Sequence, residues 1–264
     1  KSKAVPKLLQ YLPNLFQVKE FREPFLGGGS VALEITKRYP HIDIWVNDLY
    51  EPLYNFWCEL QHNGQELQDA LLGIKSIYCN PDAARCLFIS SKEQINDSDL
   101  SNFDRAVAFY IVNKCSFSGL TESSSFSAQA SESNFSTNGI ERLTEYSEII
   151  ERWKITNLSY ESMLCDDKNT FIYLDPPYDI KDNLYGKKGE MHKRFDHDKF
   201  AADCDQHTCP MLISYNSDQI IRDRFYEWTV GEFAHTYTMR SVGCYNIDQA
   251  TRKELVLTNY EMRS

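Results

Sequence analysis

Apolar and polar positions follow two rhythms along this chain. Residues 3–16 carry apolar side chains at roughly helical spacing, which predicts a short N-terminal helix. Residues 20–26 read as a first strand. Gly27-Gly28-Gly29-Ser30 follows at once, and Val31 to Arg38 return to helical spacing. Residues 42–46 predict a second strand that ends in Asn47-Asp48. After Glu51-Pro52 the strand signals fade. Residues 51–62, 64–78, 81–90 and 103–114 predict helices, with Leu67, Leu71, Leu72 and Ile74, and later Phe103, Val107, Phe109 and Tyr110, at helical spacing. A helix is predicted over 139–151. Strands then return at 154–159, 170–175, 211–215, near 233–240 and at 253–259.

This order predicts an α/β fold. Residues 1–54 and 151–264 would build a mixed sheet with helices on both faces, and 55–150 a helical module inserted into it. Residues 116–138 stand apart. They are rich in serine, with Phe117, Phe126 and Phe135 spaced through them. Small hydroxyls can bond phosphates or base edges, so the stretch reads as a binding hairpin in preference to a plain linker.

Composition narrows the class. With 264 residues, 42% hydrophobic and 25% charged, the chain is globular and long enough for one large domain carrying an inserted module. No apolar run approaches the ~20 residues of a membrane span. No secretory signal is visible, although the chain starts at Lys1 and not at Met. Eight cysteines form no Cys-x-x-Cys, and most lie in apolar segments, so reduced thiols in an intracellular, cytoplasmic protein are expected. A net charge of −10 argues against an all-over nucleic-acid surface but leaves room for a local one. Lys181, Lys187, Lys188, Lys193, Arg194 and Lys199 crowd one segment, and Arg240, Arg252 and Lys253 flank another.

Two constellations carry chemistry. The first is strand, glycine turn, helix, in which Gly27, Gly29 and Ala32 fit G-x-G-x-x-G/A. Asp48 lies 20 residues beyond Gly28, at the tip of the second strand, where an acid can accept ribose hydroxyl hydrogens. The pair predicts a nucleoside-containing cofactor and does not separate NAD from S-adenosylmethionine. The second is the apolar run Thr170 to Leu174, closed by Asp175-Pro176-Pro177-Tyr178. Prolines fix φ and lack an N–H, so the strand must stop there, presenting a carboxylate, a carbonyl and a ring together.

At this point the residues resemble the D12 class of DNA adenine-N6 methyltransferases, the Dam family, in its α group. Pro24 to Val31 resembles the cofactor loop and Asn47-Asp48 the ribose-binding acid. Asn113-Lys114 with Ser116 to Leu120 resembles the start of the target-recognition hairpin, and Asp175 to Tyr178 the catalytic motif. Tyr185-Gly186, Phe195 to His197, Ile213 to Asp218, Arg240-Ser241, Arg252 to Leu255 and Thr258 to Tyr260 resemble later blocks. The resemblance implies a Rossmann-like methyltransferase sheet using S-adenosylmethionine, with duplex DNA as substrate, GATC as the family's common target and a cognate restriction endonuclease as a further partner. It implies cofactor contacts from Lys1, Phe25, Gly27, Gly28, Gly29, Ser30, Asp48, Leu49, Tyr160, Glu161 and Asp175. It implies DNA contacts from Asn113, Lys114, Ser116, Ser118, Lys187, Lys188, Lys193, Arg194, Asn216 and Arg252.

Three departures stand out. The family's N-terminal Gly-Gly-Lys is present only as Lys1, its Asp-Phe pair is replaced by Tyr160-Glu161, and its Asn-Arg by Asn113-Lys114. The last change removes a bidentate donor.

The chemistry of the motif agrees with the resemblance. An adenine amine is a poor nucleophile because its lone pair is delocalised, and Asp175 with the Pro176 carbonyl supplies two acceptors for its hydrogens. Cytosine-C5 chemistry needs a nucleophilic cysteine, usually after a proline, and none of the nine prolines precedes one. An RNA or protein-amide methyltransferase, an inactive DNA-binding relative and an NAD enzyme are the competing readings. The first usually carries Asn in place of Asp175.

Overall fold

The computed structural model describes residues 4–117, 124–178, 195–234 and 253–262. These divide into two compact units. One takes 4–49, 158–178, 195–234 and 253–262, and the other 50–117 and 124–157.

The first unit holds six strands of a seven-stranded sheet, in the order β2-β1-β4-β5-β7-β6. They are β1 (Glu20–Glu23), β2 (Asp43–Asn47), β4 (Thr170–Leu174), β5 (Met211–Asn216), β6 (Thr229–Ala234) and β7 (Lys253–Thr258). β1 runs parallel to β2 and β4, and β4 parallel to β5. β7 is antiparallel to β5 and β6. The helix Ser30–Arg38 joins β1 to β2 in one direction across the sheet, and the helix His197–Asp205 precedes β5 in the other. Right-handed crossovers running in opposite directions put their helices on opposite faces. The strand order therefore reverses between β1 and β4, the place where open α/β sheets bind ligands at their carboxyl ends.

Every residue of β4 is buried, as are Met211 to Tyr215 of β5. This explains their continuous apolar sequence. Phe200, Cys204, Ile221, Phe225 and Trp228 pack with these strands into the main core.

The second unit is helical: Glu51–His62, Gly64–Ile77, Pro81–Gln94, Asn102–Cys115, Ala128–Ser133, Thr137–Glu141 and Leu143–Ile150, with a short strand β3 (Lys154–Thr156). Phe56 meets Phe109 and Tyr110 at ring-centroid distances of 5.5 and 5.9 Å, and Trp57 meets Trp153 at 5.7 Å. Gln61 Nε2 donates to the carbonyls of Ile150 and Trp153 at 2.7 and 2.8 Å, tying the last helix back to the first. Gly64 is required where helices cross, since a Cβ there would fall 2.3 Å from the Ser147 Cβ. No described helix is long and apolar enough to cross a membrane.

Several elements depart from the sequence reading. The helix expected over 3–16 is a turn of α-helix (Val5–Leu8) followed by 3-10 turns at Leu9–Tyr11 and Leu15–Gln17. Pro13 forces the residue before it out of the helical region, and Leu12 sits at ψ 146. The helix expected over 139–151 is split into Thr137–Glu141 and Leu143–Ile150. Of the strand expected near 233–240, Phe233 and Ala234 fall in β6, which begins earlier, at Thr229, while 235–240 lie outside the described residues.

Of the hairpin expected over 116–138, the described residues show one antiparallel bridge, Ser116 to Phe126, with Phe117 N donating to the Ser125 carbonyl at 3.0 Å, and 118–123 lie outside the described residues. Beyond the bridge the chain turns helical. Ser127 and Ser136 cap two short helices by accepting from Ala130 N and Gly139 N, each at 3.2 Å. Part of the serine richness is helix capping. Two of the three phenylalanines are packing residues: Phe135 is fully buried, and Phe126 packs on Phe88 at 5.7 Å.

Candidate active site

The site begins at the carboxyl end of β1. Gly27 and Gly29 have φ of 49° and 63°, a left-handed backbone that favours glycine. The turn they make delivers the chain into the helix Ser30–Arg38. Glu23, almost wholly buried, accepts from Ala32 N at 2.8 Å, setting a carboxylate at the positive end of that helix. Buried Asn47, at the end of β2, clamps the turn from the side. Its Nδ2 donates to the carbonyls of Pro24 and Leu158 at 3.1 and 2.9 Å, and its Oδ1 accepts from Leu158 N at 2.7 Å. Asp48 Oδ2 accepts from Gly27 N at 2.9 Å, so the expected ribose acid and the glycine turn are in direct contact.

A Cβ on Gly27 or Gly28 would meet no atom within 4 Å, so the space over the turn is open. Phe25 lies on the core side, stacked on Tyr160 at 5.7 Å and 29°. The Tyr160 hydroxyl donates to Asp203 at 2.7 Å, and burial, followed by that hydrogen bond, raises its pKa. Lys199 bridges Glu161 and Asp203 at 2.8 and 2.6 Å. Leu49 is exposed.

β4 is the neighbour of β1, with Arg22 opposite Ile172. Its carboxyl end, Asp175 to Tyr178, therefore emerges beside the strand that carries the glycine turn. Pro176 is buried, while Asp175, Pro177 and Tyr178 are half-buried. Ser214, fully buried on β5, donates to Asp175 Oδ1 at 3.0 Å. The Tyr173 hydroxyl lies 2.8 Å from Ser214 Oγ. Because the single serine proton is committed to Asp175, Tyr173 is the donor in that pair. Burial, followed by the charge of Asp175, drives the Tyr173 pKa well above that of a free phenol, which keeps the donor protonated. The result is a relay of two hydroxyls ending on one oxygen of the carboxylate.

Tyr178 is held at its far end. Its hydroxyl donates to Glu254 Oε1 at 2.7 Å, and Glu254 is fully buried on β7. Its ring lies 6.2 Å from that of Tyr215, whose hydroxyl pairs with His197 Nδ1 at 2.6 Å. Asn216, half-buried at the end of β5, has a buried Oδ1 with no hydrogen-bond partner among the described residues.

In the helical unit, Lys114 sits with its Nζ 5.3 Å from the Tyr110 ring, and burial lowers its pKa. Ser116 is fully buried and donates to the Asn113 carbonyl at 3.1 Å. Lys1, Ser118, Lys187, Lys188, Lys193, Arg194 and Arg252 lie outside the described residues. Ser214, the Tyr173 hydroxyl and Glu254 did not emerge from sequence reasoning as site residues. Each left a signal, namely a polar side chain inside a strand that is otherwise apolar.

Comparison with known proteins identifies the family. The D12 class N6 adenine-specific DNA methyltransferase family matches residues 1–239. A curated relative, the type II methyltransferase M.MjaIII of Methanocaldococcus jannaschii, is 22% identical over 172 residues, which is 61% of this chain and 59% of that protein. The chain thus spans less than two thirds of that relative's length. Among solved structures, the rRNA methyltransferase aviRa from Streptomyces viridochromogenes covers 97% of this chain and 82% of its own at 12% identity, with a TM-score of 0.30, a likeness too slight to build on. A family match that runs through both the glycine turn and the Asp-Pro-Pro-Tyr turn settles the kinship: the chain belongs to the D12 class of N6 adenine-specific DNA methyltransferases.

Proposed function

We propose that this protein transfers a methyl group from S-adenosylmethionine to the N6 amine of an adenine flipped out of duplex DNA at a specific site. The observation that carries this reading is the pairing of β1 with β4, whose carboxyl ends bear the glycine turn with Asp48 and the Asp175 motif. The residues present fit the donor. The space over Gly27 and Gly28 is open, and Asp48 stands beside it with a carboxylate suited to ribose hydroxyls. Phe25, Ser30, Leu49, Tyr160 and Glu161 complete the proposed cofactor contacts. When bound, S-adenosylmethionine supplies an electrophilic methyl group on a sulfonium.

The chain's own residues do the rest. With Oδ1 of Asp175 engaged by Ser214, its other oxygen is directed to one amine hydrogen and the Pro176 carbonyl to the second. Two acceptors pull the nitrogen toward tetrahedral geometry and free its lone pair. This is catalysis by positioning and fixed dipoles. Tyr178 stacks on the flipped base, with its hydroxyl anchored on Glu254. Stacking of ~1–3 kcal/mol per base is comparable with the few kcal/mol that flipping costs. Ser214 and Tyr173 act as positioning residues.

The helical unit, with Asn113, Lys114, Ser116 and Ser118, would recognise the target. Lys187, Lys188, Lys193, Arg194, Asn216 and Arg252 would contact DNA near the flipped nucleotide. A cognate endonuclease in the same system is part of the proposal.

The test is transfer of labelled methyl to separate DNA, RNA and protein pools, followed by nucleoside analysis. N6-methyladenine in DNA, at one sequence context, is the expected product. Label confined to RNA or protein overturns the reading.

A further inference from the structure

Away from the catalytic motif, two cysteines face each other. Cys165 precedes β4 and Cys209 precedes β5, so both lie at the amino ends of strands whose carboxyl ends carry Asp175 and Ser214. β4 and β5 are parallel neighbours, which brings the loops entering them side by side. The loops are stitched together next to the thiols, with Thr208 N donating to Asp166 Oδ1 at 2.9 Å. Asn259 Nδ2 donates to the Cys209 carbonyl at 2.8 Å and fixes that loop from β7's end. Cys209 is fully buried, and Cys165, half-buried, packs against the core cluster that contains it.

We propose that Cys165 and Cys209 are an oxidisable dithiol that closes to a disulfide when the protein meets a hydroperoxide. The two sulfurs share a hydrogen bond and are unequal. The bond from Cys209, the Asp167 N–H, the nearby Arg22 and the Thr170 hydroxyl outweigh burial and lower the Cys165 pKa to about 6. The same bond, with burial, pushes Cys209 up. Cys165 is thus the thiolate nucleophile and Cys209 the protonated resolving thiol.

Thiolate attack on a peroxide oxygen forms an S–O bond and breaks O–O. The departing oxygen takes up a proton as water or alcohol, leaving Cys165 a sulfenic acid. The Cys209 sulfur then attacks Cys165 and S–S forms. The S–O bond breaks, and water leaves with the Cys209 proton. One peroxide is reduced and two thiols are oxidised.

The experiment treats the reduced full chain with one equivalent of hydrogen peroxide, alkylates the remaining thiols and maps peptides without reduction. The expected result is a mass lower by about 2 Da before alkylation, a Cys165–Cys209 linked peptide that dithiothreitol releases, and alkylation of the other six of the eight cysteines. Cys209→Ser should leave a sulfenic acid on Cys165 that dimedone traps. The proposal is overturned if Cys165 and Cys209 are recovered alkylated while oxidation falls on the exposed Cys79 and Cys86, or if a linkage forms elsewhere. The primary readout is on the unmutated chain and involves no methyl transfer, so it stands or falls apart from the catalytic reading.

Discussion

The two turns that define the candidate site are built by opposite means. The turn after β1 is made of backbone. Its conformation depends on glycine at φ 49° and 63°, its orientation on Asn47, and the Asp48 carboxylate meets it by accepting from a main-chain N–H. The turn after β4 is made of side chains. Prolines stiffen it, and Ser214 and Glu254, borrowed from β5 and β7, hold its carboxylate and its ring. In the proposed function the first turn accommodates a ligand by leaving its space open, and the second acts on a ligand through groups that must be aimed. Damage to the first should weaken cofactor binding, and damage to the second should slow the chemistry.

The largest expected effect is on the second turn. Asp175→Ala removes the acceptor proposed for one amine hydrogen, and methyl transfer should fall by about 10^3-fold or more. Affinity for a short duplex, read by fluorescence anisotropy, should stay within a few-fold. Full activity in this variant would remove the assigned role. Ser214→Ala comes next. A hydrogen bond to a charged group is worth ~1.5–3 kcal/mol, so kcat should drop by roughly 10–100-fold with little change in KM. Losing a donor to the ionised carboxylate raises its pKa. The acid limb of the pH–rate profile should therefore move to higher pH, a shift that loose packing alone would not produce. If Asp175→Ala is inactive and Ser214→Ala behaves like the unmutated protein, the relay is ornamental and the catalytic reading survives.

The same contrast governs how much the sequence disclosed. The glycine turn, Asp48 and Asp175 to Tyr178 were legible because each is a short local pattern whose geometry comes from residue type: left-handed glycine, strand-stopping proline, an acid at a strand tip. β4 and β5 were legible because strands buried on both faces have no polar alternation to obscure them. The relay was not legible. Ser214 meets Asp175 only once parallel pairing sets Tyr173 beside Leu212, and Glu254 meets Tyr178 across 76 residues of chain. Register between distant strands is a tertiary property, and no local pattern encodes it. The serine-rich stretch was ambiguous for a related reason. A serine that caps a helix and one that would touch DNA look alike in a sequence, and Ser127 and Ser136 are caps.

A moderate effect belongs to the first turn. Gly27→Val forces a β-branched residue into a left-handed φ, although the space around it is open. Strain of roughly 1–2 kcal/mol should raise the Kd for S-adenosylmethionine by about 10-fold, measured by calorimetry. At saturating cofactor, kcat should return close to normal. Recovery at saturation is what separates this turn from the other, and an unrecoverable loss of kcat would erase the distinction between them.

The smallest effect tests the division inside the second turn itself. Tyr178→Phe keeps the aromatic face and removes the hydroxyl that donates to Glu254 at 2.7 Å. If the ring's role is stacking and the hydroxyl only steadies it, loss of activity should be a few-fold, less than the ~1.5–3 kcal/mol that a hydrogen bond to a charged group is worth. Tyr178→Ala, which also gives up ~1–3 kcal/mol of stacking, should cost distinctly more. Its loss should shrink on a substrate whose target adenine faces a mismatch and is already half out of the helix, because less flipping work then remains for the ring to offset. Equal losses in the two variants would mean that the Glu254 bond, and not the aromatic face, is what the site draws from Tyr178. The second turn would then resemble the first in depending on a fixed polar frame.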